Sequence, residues 1–370
     1  MITYSYGSAL VPMDEIVSRA ATGEVGKFLT ASKASPAASL EFSTGTVRAS
    51  ELSAGPDFVP VGLYKPLRVE IRQVYTGSNP HSFLGIGSKG MLVASAMKGI
   101  TTYDAAPRAV NYLREDAAQH TAYREVAATN VGTPLVLYTK ALTSASTLIT
   151  LEVIFQSFPA QLFQTMTKLF SSASSIPLFA PASEYLIAAS TVSKIVGDLG
   201  KALFDGKPAF KQTEPISFIT PGTNLPTARF VLLTNDSADP SLYQKYKIDD
   251  TGSLVAISDG APYKGDEPYV IIFLDGREVS DYENFQPTAA SAALLERFYN
   301  IGANVVQPAD SLIQAMQLLS DMKYRTDADA LAQQISALPA GSPELTDKQA
   351  KLNALIANIS NSLLKPKSGA

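Results

Sequence analysis

The sequence predicts an α+β protein with an antiparallel β-sandwich-like core, an inserted amphipathic helical pair and a C-terminal helical region. Eight or so short strand-like runs are separated by turns, without the regular strand–helix alternation that builds parallel sheets. Most of the helical periodicity lies in residues 158–205 and in the chain after residue 286. We therefore expect the helices to be additions to a β-rich core.

Changes in composition predict three regions. Residues 1–57 are expected to form an N-terminal arm or linker, because Ser32–Pro56 is rich in Ser, Ala, Gly and Pro. Residues 58–285 would form the core, with the helical insertion at 158–205. Residues 286–370 would form the C-terminal helical region.

The clearest strand in the first half of the chain is Leu67–Tyr75, where apolar and charged residues alternate. This alternation predicts one buried face and one wet face. Other elements are expected as follows: a helix at Met13–Ala21, a strand at Met91–Met97, a helix around Val110–His120, and strands at Leu135–Thr139 and Thr147–Phe155. The short connection between the last two strands predicts a hairpin.

Two helices are predicted at Ala160–Phe170 and Pro181–Phe204. In the second helix, apolar residues recur at spacings of three and four, and Ser, Lys and Asp lie off that stripe. The stripe includes four residues that we predict to be an interaction surface: Tyr185, Val192, Ile195 and Leu199. The alternative is that the stripe packs on the sheets.

The second half of the chain begins with strand-like runs and ends with helical ones. Strands are predicted at Pro215–Ile219, Ala228–Thr234, Ser253–Ile257 and Pro268–Leu274; the last is continuously apolar, as in a strand covered on both faces. Helices are predicted at Thr288–Tyr299, Ala309–Lys323, Thr326–Leu338 and Pro343–Leu364, with Ser342 as the N-cap of the last. The apolar stripe of that helix includes Leu352, Leu355 and Ile359, which we also predict to be interaction residues. The alternative, which the order of the helices favours, is that the helices just before it cover this stripe.

Composition narrows the classes of function. The 370-residue chain has no cysteine, so disulfides, thiolate metal sites and cysteine nucleophiles are excluded. Its net charge of −4 argues against a nucleic-acid-binding protein, which normally carries a clustered basic surface. No basic segment followed by an apolar one opens the chain, so we expect no signal peptide and a soluble, cytoplasmic protein.

Motifs for catalysis are scarce. Histidine occurs only at His81 and His120, and the GxSxG elbow and HExxH are absent. Residues 85–90 match GxGxxG, but MLVASAM follows with strand character, which favours a glycine-rich turn over a dinucleotide site. Asp236, Asp249 and Asp275 lie in loops and are the candidates for a calcium site or for hydrolytic acids. We predict no catalytic residue and no cofactor.

Three functions remain open. The sequence favours a non-enzymatic structural or interaction protein that self-assembles or binds a protein partner. The charge is uneven, since residues 1–210 carry 17 Lys and Arg against 15 Asp and Glu, while the remainder carries 13 against 19. Such an asymmetry helps subunits meet head to tail, but ordinary scatter in composition is the better explanation. The second possibility is a membrane-active effector that uses helices within 158–204 after a trigger. The third is a hydrolase that uses the loop carboxylates.

Overall fold

A computed structural model describes residues 1–6, 9–22, 58–80, 89–98, 108–124, 131–160, 162–164, 166–167, 178–179, 207–219, 228–235, 238–239, 241–283, 285–286, 289, 309–339 and 341–366. The strands are β1 (Ile2–Tyr6), β2 (Ala9–Pro12), β3 (Leu67–Tyr75), β4 (Lys89–Lys98), β5 (Ala109–Ala117), β6 (Ala122–Arg124), β7 (Val131–Gly132), β8 (Leu135–Thr139), β9 (Ser146–Gln156), β10 (Leu178–Phe179), β11 (Phe210–Ser217), β12 (Phe230–Thr234), β13 (Tyr246–Ile248), β14 (Leu254–Ala256) and β15 (Tyr269–Asp275). The helices with described bounds are α1 (Met13–Ala21), α2 (Leu242–Lys245), α3 (Ala309–Ser336) and α4 (Pro343–Asn358); Ser280–Tyr282 and Ser362–Leu364 are short 3₁₀ turns.

The strands form two large antiparallel sheets and one hairpin. The first sheet has the order β2-β1-β12-β15-β3-β6, and β8 also pairs with β3. The second has the order β10-β5-β4-β9-β11, and β7 also pairs with β5. The hairpin is β13–β14. Together with the helices, these sheets confirm the predicted mixed α+β class and its antiparallel character.

The strand β15 is buried over its whole length, as its continuous apolar sequence predicts. Its Val270, Ile272 and Leu274 belong to a large cluster that also contains inward-facing residues of β4 and β9 from the second sheet. Its Tyr269, Ile271 and Phe273 belong to another cluster, which α2 and the β13–β14 hairpin help to cover. The two clusters explain why this strand has no polar alternation.

Two predictions in the first half of the chain are wrong. The segment predicted as a helix around Val110–His120 is mainly the strand β5, because its buried first half pairs with β4 and this ladder outweighs the helix propensity of its Leu, Arg and Glu residues. The strands β8 and β9 do not form a hairpin, since they lie in different sheets. The loop between them is tied elsewhere: the Leu142 N–H donates to the Lys65 carbonyl at 2.8 Å.

The N-terminal residues contribute to the first sheet. The strand β1 pairs with β12 and with β2, and the Tyr4 side chain is completely buried. The predicted helix Met13–Ala21 follows as α1. Residues 23–57, the rest of the predicted arm, lie outside the described residues.

The C-terminal region differs from its prediction in two ways. One continuous helix, α3, replaces the two helices predicted from Ala309 to Leu338, because Thr326 does not cap a new helix and its hydroxyl instead donates to the Met322 carbonyl at 2.9 Å. The helix α4 begins as predicted, with the Leu345 N–H donating to the Ser342 hydroxyl at 3.2 Å. It ends at Asn358 rather than Leu364, since Ile359 is extended.

Candidate functional site

Buried charges gather on the outer side of the first sheet, around the end of β15. Asp275 is completely buried, and its carboxylate accepts hydrogen bonds from Arg68 and Arg277. The Arg68 Nη2 and the Arg277 Nε both lie 2.6 Å from its Oδ2. The Val59 N–H adds a bond of 3.0 Å to Oδ1. Two cations and backbone donors therefore neutralise this acid.

This arrangement decides what Asp275 can do. Its oxygens already accept from guanidinium and amide groups, and a calcium ion would have to displace two arginines to reach them. Arg68 also contacts Glu70 at 3.4 Å, and that carboxylate accepts the Tyr282 hydroxyl at 3.0 Å. The cluster joins β3, β15 and the following turn, so it is a structural network.

A third arginine on the same side has different surroundings. The Cζ atom of Arg229 lies 4.9 Å from the ring centroid of Phe230, 5.3 Å from that of Phe273 and 5.5 Å from that of Phe58. Its Nε is buried and donates no hydrogen bond. Burial lowers the pKa of the Arg229 guanidinium, and the attraction of Asp250 opposes that change. Cation–π contacts are thus what hold this side chain.

The other predicted metal ligands are not brought together. The Asp249 Oδ1 accepts from the Thr251 N–H at 3.0 Å, the Thr251 hydroxyl at 2.7 Å and the Ser253 N–H at 2.9 Å, so this acid shapes the turn between β13 and β14. Asp236 lies outside the described residues. Within the described part of the chain, no group of three or more His, Asp or Glu side chains is placed to hold a metal ion.

Two other buried acids, Glu152 and Asp321, are bound by groups of the chain itself. Glu152 on β9 is paired with Arg108 and, at 2.9 Å, with Lys211. Asp321 on α3 accepts the backbone N–H groups of Ser360 and Asn361 at 3.0 and 2.7 Å. Buried acids in these ranges therefore have structural partners, and no pair of them forms a catalytic arrangement.

The described histidine lies beside a cluster of tyrosines. The His120 Nε2 is 3.7 Å from the Asp266 carboxylate, and its Nδ1 is 3.4 Å from the Tyr75 hydroxyl. Tyr75 stacks on Tyr269 at 5.0 Å and meets Tyr263 edge-on at 5.3 Å. Among the described residues, no serine contacts this histidine. The His120 Nδ1 and the Tyr75 hydroxyl both lie close to the Gly265 carbonyl, at 3.3 and 3.0 Å, so the group joins the turn after β5 and the end of β3 to the loop before β15. His81 lies outside the described residues.

The glycine-rich segment is described only at its end. Residues 85–88 lie outside the described residues, and Gly90 is part of β4. A Cβ atom at Gly90 would come within 2.6 Å of the Phe158 ring and 2.7 Å of the Arg114 carbonyl. Glycine is therefore required at this position because Phe158 packs closely on the strand.

The predicted interaction residues fall into two groups. Tyr185, Val192, Ile195 and Leu199 lie outside the described residues. Leu355 and Ile359 are buried, and Leu352 is half-buried; Leu352 and Leu355 pack in a cluster with Ala328 and Leu331 of α3. Nearby, the Asn358 side-chain amide donates to the Ala141 carbonyl at 3.2 Å, which fixes α4 to the loop after β8.

An exposed apolar surface lies on the other side of this helical pair. Leu318 and Met322 are one helical turn apart on α3 and are 44% and 50% exposed. Leu363 is 88% exposed. The turn that carries Leu363 is joined to α3, because Asp321 binds the backbone N–H groups of residues 360 and 361 and the Arg325 Nη1 donates to the Leu364 carbonyl at 3.2 Å. We call Leu318, Met322 and Leu363 the C-terminal apolar surface.

Sequence reasoning missed both Arg229 and the C-terminal apolar surface. Arg229 has no motif around it, since its ring neighbours Phe58 and Phe273 are distant in the chain. Leu318 and Met322 carry a helical spacing that could have been noticed, but spacing alone does not say which side of a helix stays exposed.

Comparisons with known proteins leave the family open. No protein-family profile matches the chain, and no curated protein matches it. Among the described residues, no helix has both the length and the apolar character needed to cross a membrane.

Proposed function

We propose that the chain is a non-enzymatic interaction protein that assembles with further copies of itself through the C-terminal apolar surface. The exposure of Leu318, Met322 and Leu363 at one place carries the proposal. Large apolar side chains that lie together and open to water gain free energy when another surface covers them. The pairing of the buried acids described above favours this function over a hydrolase.

A second copy is the occupant that the charge distribution favours. The C-terminal apolar surface belongs to the acidic part of the sequence, residues 211–370, and the preceding part has a net positive charge. Opposite charges of this kind steer head-to-tail contacts between identical chains. The surface would then meet the N-terminal half of a neighbouring copy.

We also infer that the two large sheets form a β-sandwich and that helical residues after β9 cover the outer side of the second sheet. The buried cluster drawn from both sheets supports the sandwich. Burial of Leu92, Leu113 and Ile154, whose side chains face away from that cluster, supports a cover on the second sheet. Leu162 and Met166, in the short described helical segment after β9, are buried as well.

Native mass spectrometry and light scattering on the full chain test the assembly. We expect the wild type to form oligomers as its concentration rises. The variant M322E/L363E should weaken association at least about tenfold, because each buried apolar side chain contributes roughly 1.5–3 kcal/mol.

The matched control is I257E, which alters an apolar side chain of the acidic part that is 45% exposed, close to the 50% of Met322, and that lies outside the C-terminal apolar surface. It should assemble as the wild type does. A wild type that stays monomeric at every accessible concentration would overturn self-assembly. Equal assembly of M322E/L363E and wild type would overturn the assignment of the surface.

A further inference from the structure

The guanidinium of Arg229 is held in one place without a hydrogen-bond acceptor. Three phenylalanine rings, Phe58, Phe230 and Phe273, surround its Cζ at 4.9 to 5.5 Å. Its Nε is buried and unpartnered. A partly buried cation that lacks an acceptor is costly, and native proteins seldom leave one without a reason.

The arginines on this side of the sheet differ in whether a carboxylate pairs with them. Arg68 and Arg277 both bind Asp275, so that acid is fully occupied. Asp250 is the carboxylate that acts most strongly on Arg229. Among the described residues, no ion pair joins Asp250 to Arg229. Arg229 is therefore the arginine of this group whose charge is still available.

A second arginine side chain, that of Arg72, packs beside the turn that lies next to the Phe230 ring. The Arg72 Nε donates to the Thr251 carbonyl at 3.1 Å, which anchors its side chain next to the turn between β13 and β14. A Cβ atom at Gly252 would meet the Arg72 Cγ at 2.4 Å and the Phe230 Cε1 at 3.1 Å. Arg72 thus lies near the edge of the Phe230 ring, and Arg229 lies over its face.

We propose that the terminal nitrogens of Arg229 form a binding site for an oxyanion, either a phosphate group or a carboxylate. Guanidinium groups bind both anions through paired N–H donors. The rings already restrict Arg229, so little side-chain entropy remains to be lost on binding. Because the rings cover Nε, the anion approaches the two terminal nitrogens of Arg229. Asp250 competes with it for this charge.

Calorimetric titration of the full chain at low ionic strength tests the site with two probes, inorganic phosphate and a triglutamate peptide. We expect saturable binding of at least one probe, and which probe binds more tightly tells a free phosphate from a partner's carboxylates. R229M should weaken binding by about tenfold or more. R229K should weaken it less, since it keeps the charge and loses the fork. D250N should tighten it.

The matched control is R19M, which removes an exposed arginine of α1 whose Nη2 pairs with Glu15 at 3.0 Å. It should bind both probes as the wild type does. The site is overturned if neither probe binds, if R229M binds like the wild type, or if R19M loses as much. Should R229M fold poorly, R229K and D250N decide the question, because the proposal requires them to change affinity in opposite directions.

Discussion

Asp275 and Arg229 are two charged groups on one side of the first sheet, and they have opposite surroundings: Asp275 is completely buried among hydrogen-bond donors, and Arg229 is partly buried among aromatic rings. Asp275 accepts hydrogen bonds from Arg68, Arg277 and the Val59 N–H. Arg229 lies over aromatic ring faces, and among the described residues its Nε has no acceptor. Phe273 lies close to both groups. The Cζ atom of Arg68, which binds Asp275, is 5.5 Å from the centroid of that ring, and the Cζ atom of Arg229 is 5.3 Å from it.

The difference separates a charge that builds the fold from a charge that is available to a ligand. A buried acid with two guanidinium partners stabilises the fold only as long as all the partners are present. A cation that is held by aromatic rings still has N–H donors that can bind a ligand from outside the chain. Burial alone therefore does not identify a functional group; the presence or absence of partners does.

The largest effect is expected from D275N. Asparagine keeps the volume but takes the countercharge from Arg277 and leaves Arg68 with Glu70 alone, at 3.4 Å. We expect the free energy of unfolding, measured with urea, to fall by about 3–5 kcal/mol. The control is D116N, whose carboxylate is 73% exposed and lies 3.5 Å from Arg114; it should change stability by no more than about 0.5 kcal/mol. Equal stability of D275N and D116N would contradict the structural role of Asp275.

The same comparison applies to Tyr75, a buried polar group of the tyrosine cluster that is neutral at ordinary pH. Burial, followed by the influence of Tyr263 and Asp266, raises the pKa of Tyr75 to about 12. The unfolded chain loses this proton near pH 10, so the folded state binds more protons between these values. Stability from Tyr75 is complete below pH 10 and is lost as pH rises through about 12.

Urea unfolding at a series of alkaline pH values checks this expectation. The wild type should lose on the order of 2 kcal/mol more than Y75F between pH 10 and 12. At neutral pH, Y75F should itself be less stable by about 1 kcal/mol, because its bond to the Gly265 carbonyl at 3.0 Å is gone. Parallel pH profiles for the two proteins would rule out a raised pKa at Tyr75.

The smallest effect on stability is expected from R229M. Methionine fills much of the same space among the rings, and removal of an unpartnered cation offsets the lost cation–π attraction. We expect the free energy of unfolding to change by no more than about 1 kcal/mol. A loss as large as that of D275N would show that Arg229 has a structural role like that of Asp275.

Local sequence patterns predicted several elements well. The alternation in β3, the continuous apolar run of β15, the helix α1 and the capped start of α4 all appear where expected. The strand β5 was missed because its Leu, Arg and Glu residues favour helix, and pairing with β4 decided otherwise. The hairpin between β8 and β9 was wrongly predicted because a short connection does not reveal that the strands join different sheets.

The sequence by itself determined the mixed α+β class, the burial pattern of its main strands and the absence of cysteine chemistry. These properties follow from local periodicity and composition. Only the tertiary structure decided which charges are partnered. Asp275 meets Arg68 across 207 positions and Val59 across 216, while Arg229 meets rings from three separate segments. Such contacts depend on how distant segments pack together, and no local pattern in the chain encodes them.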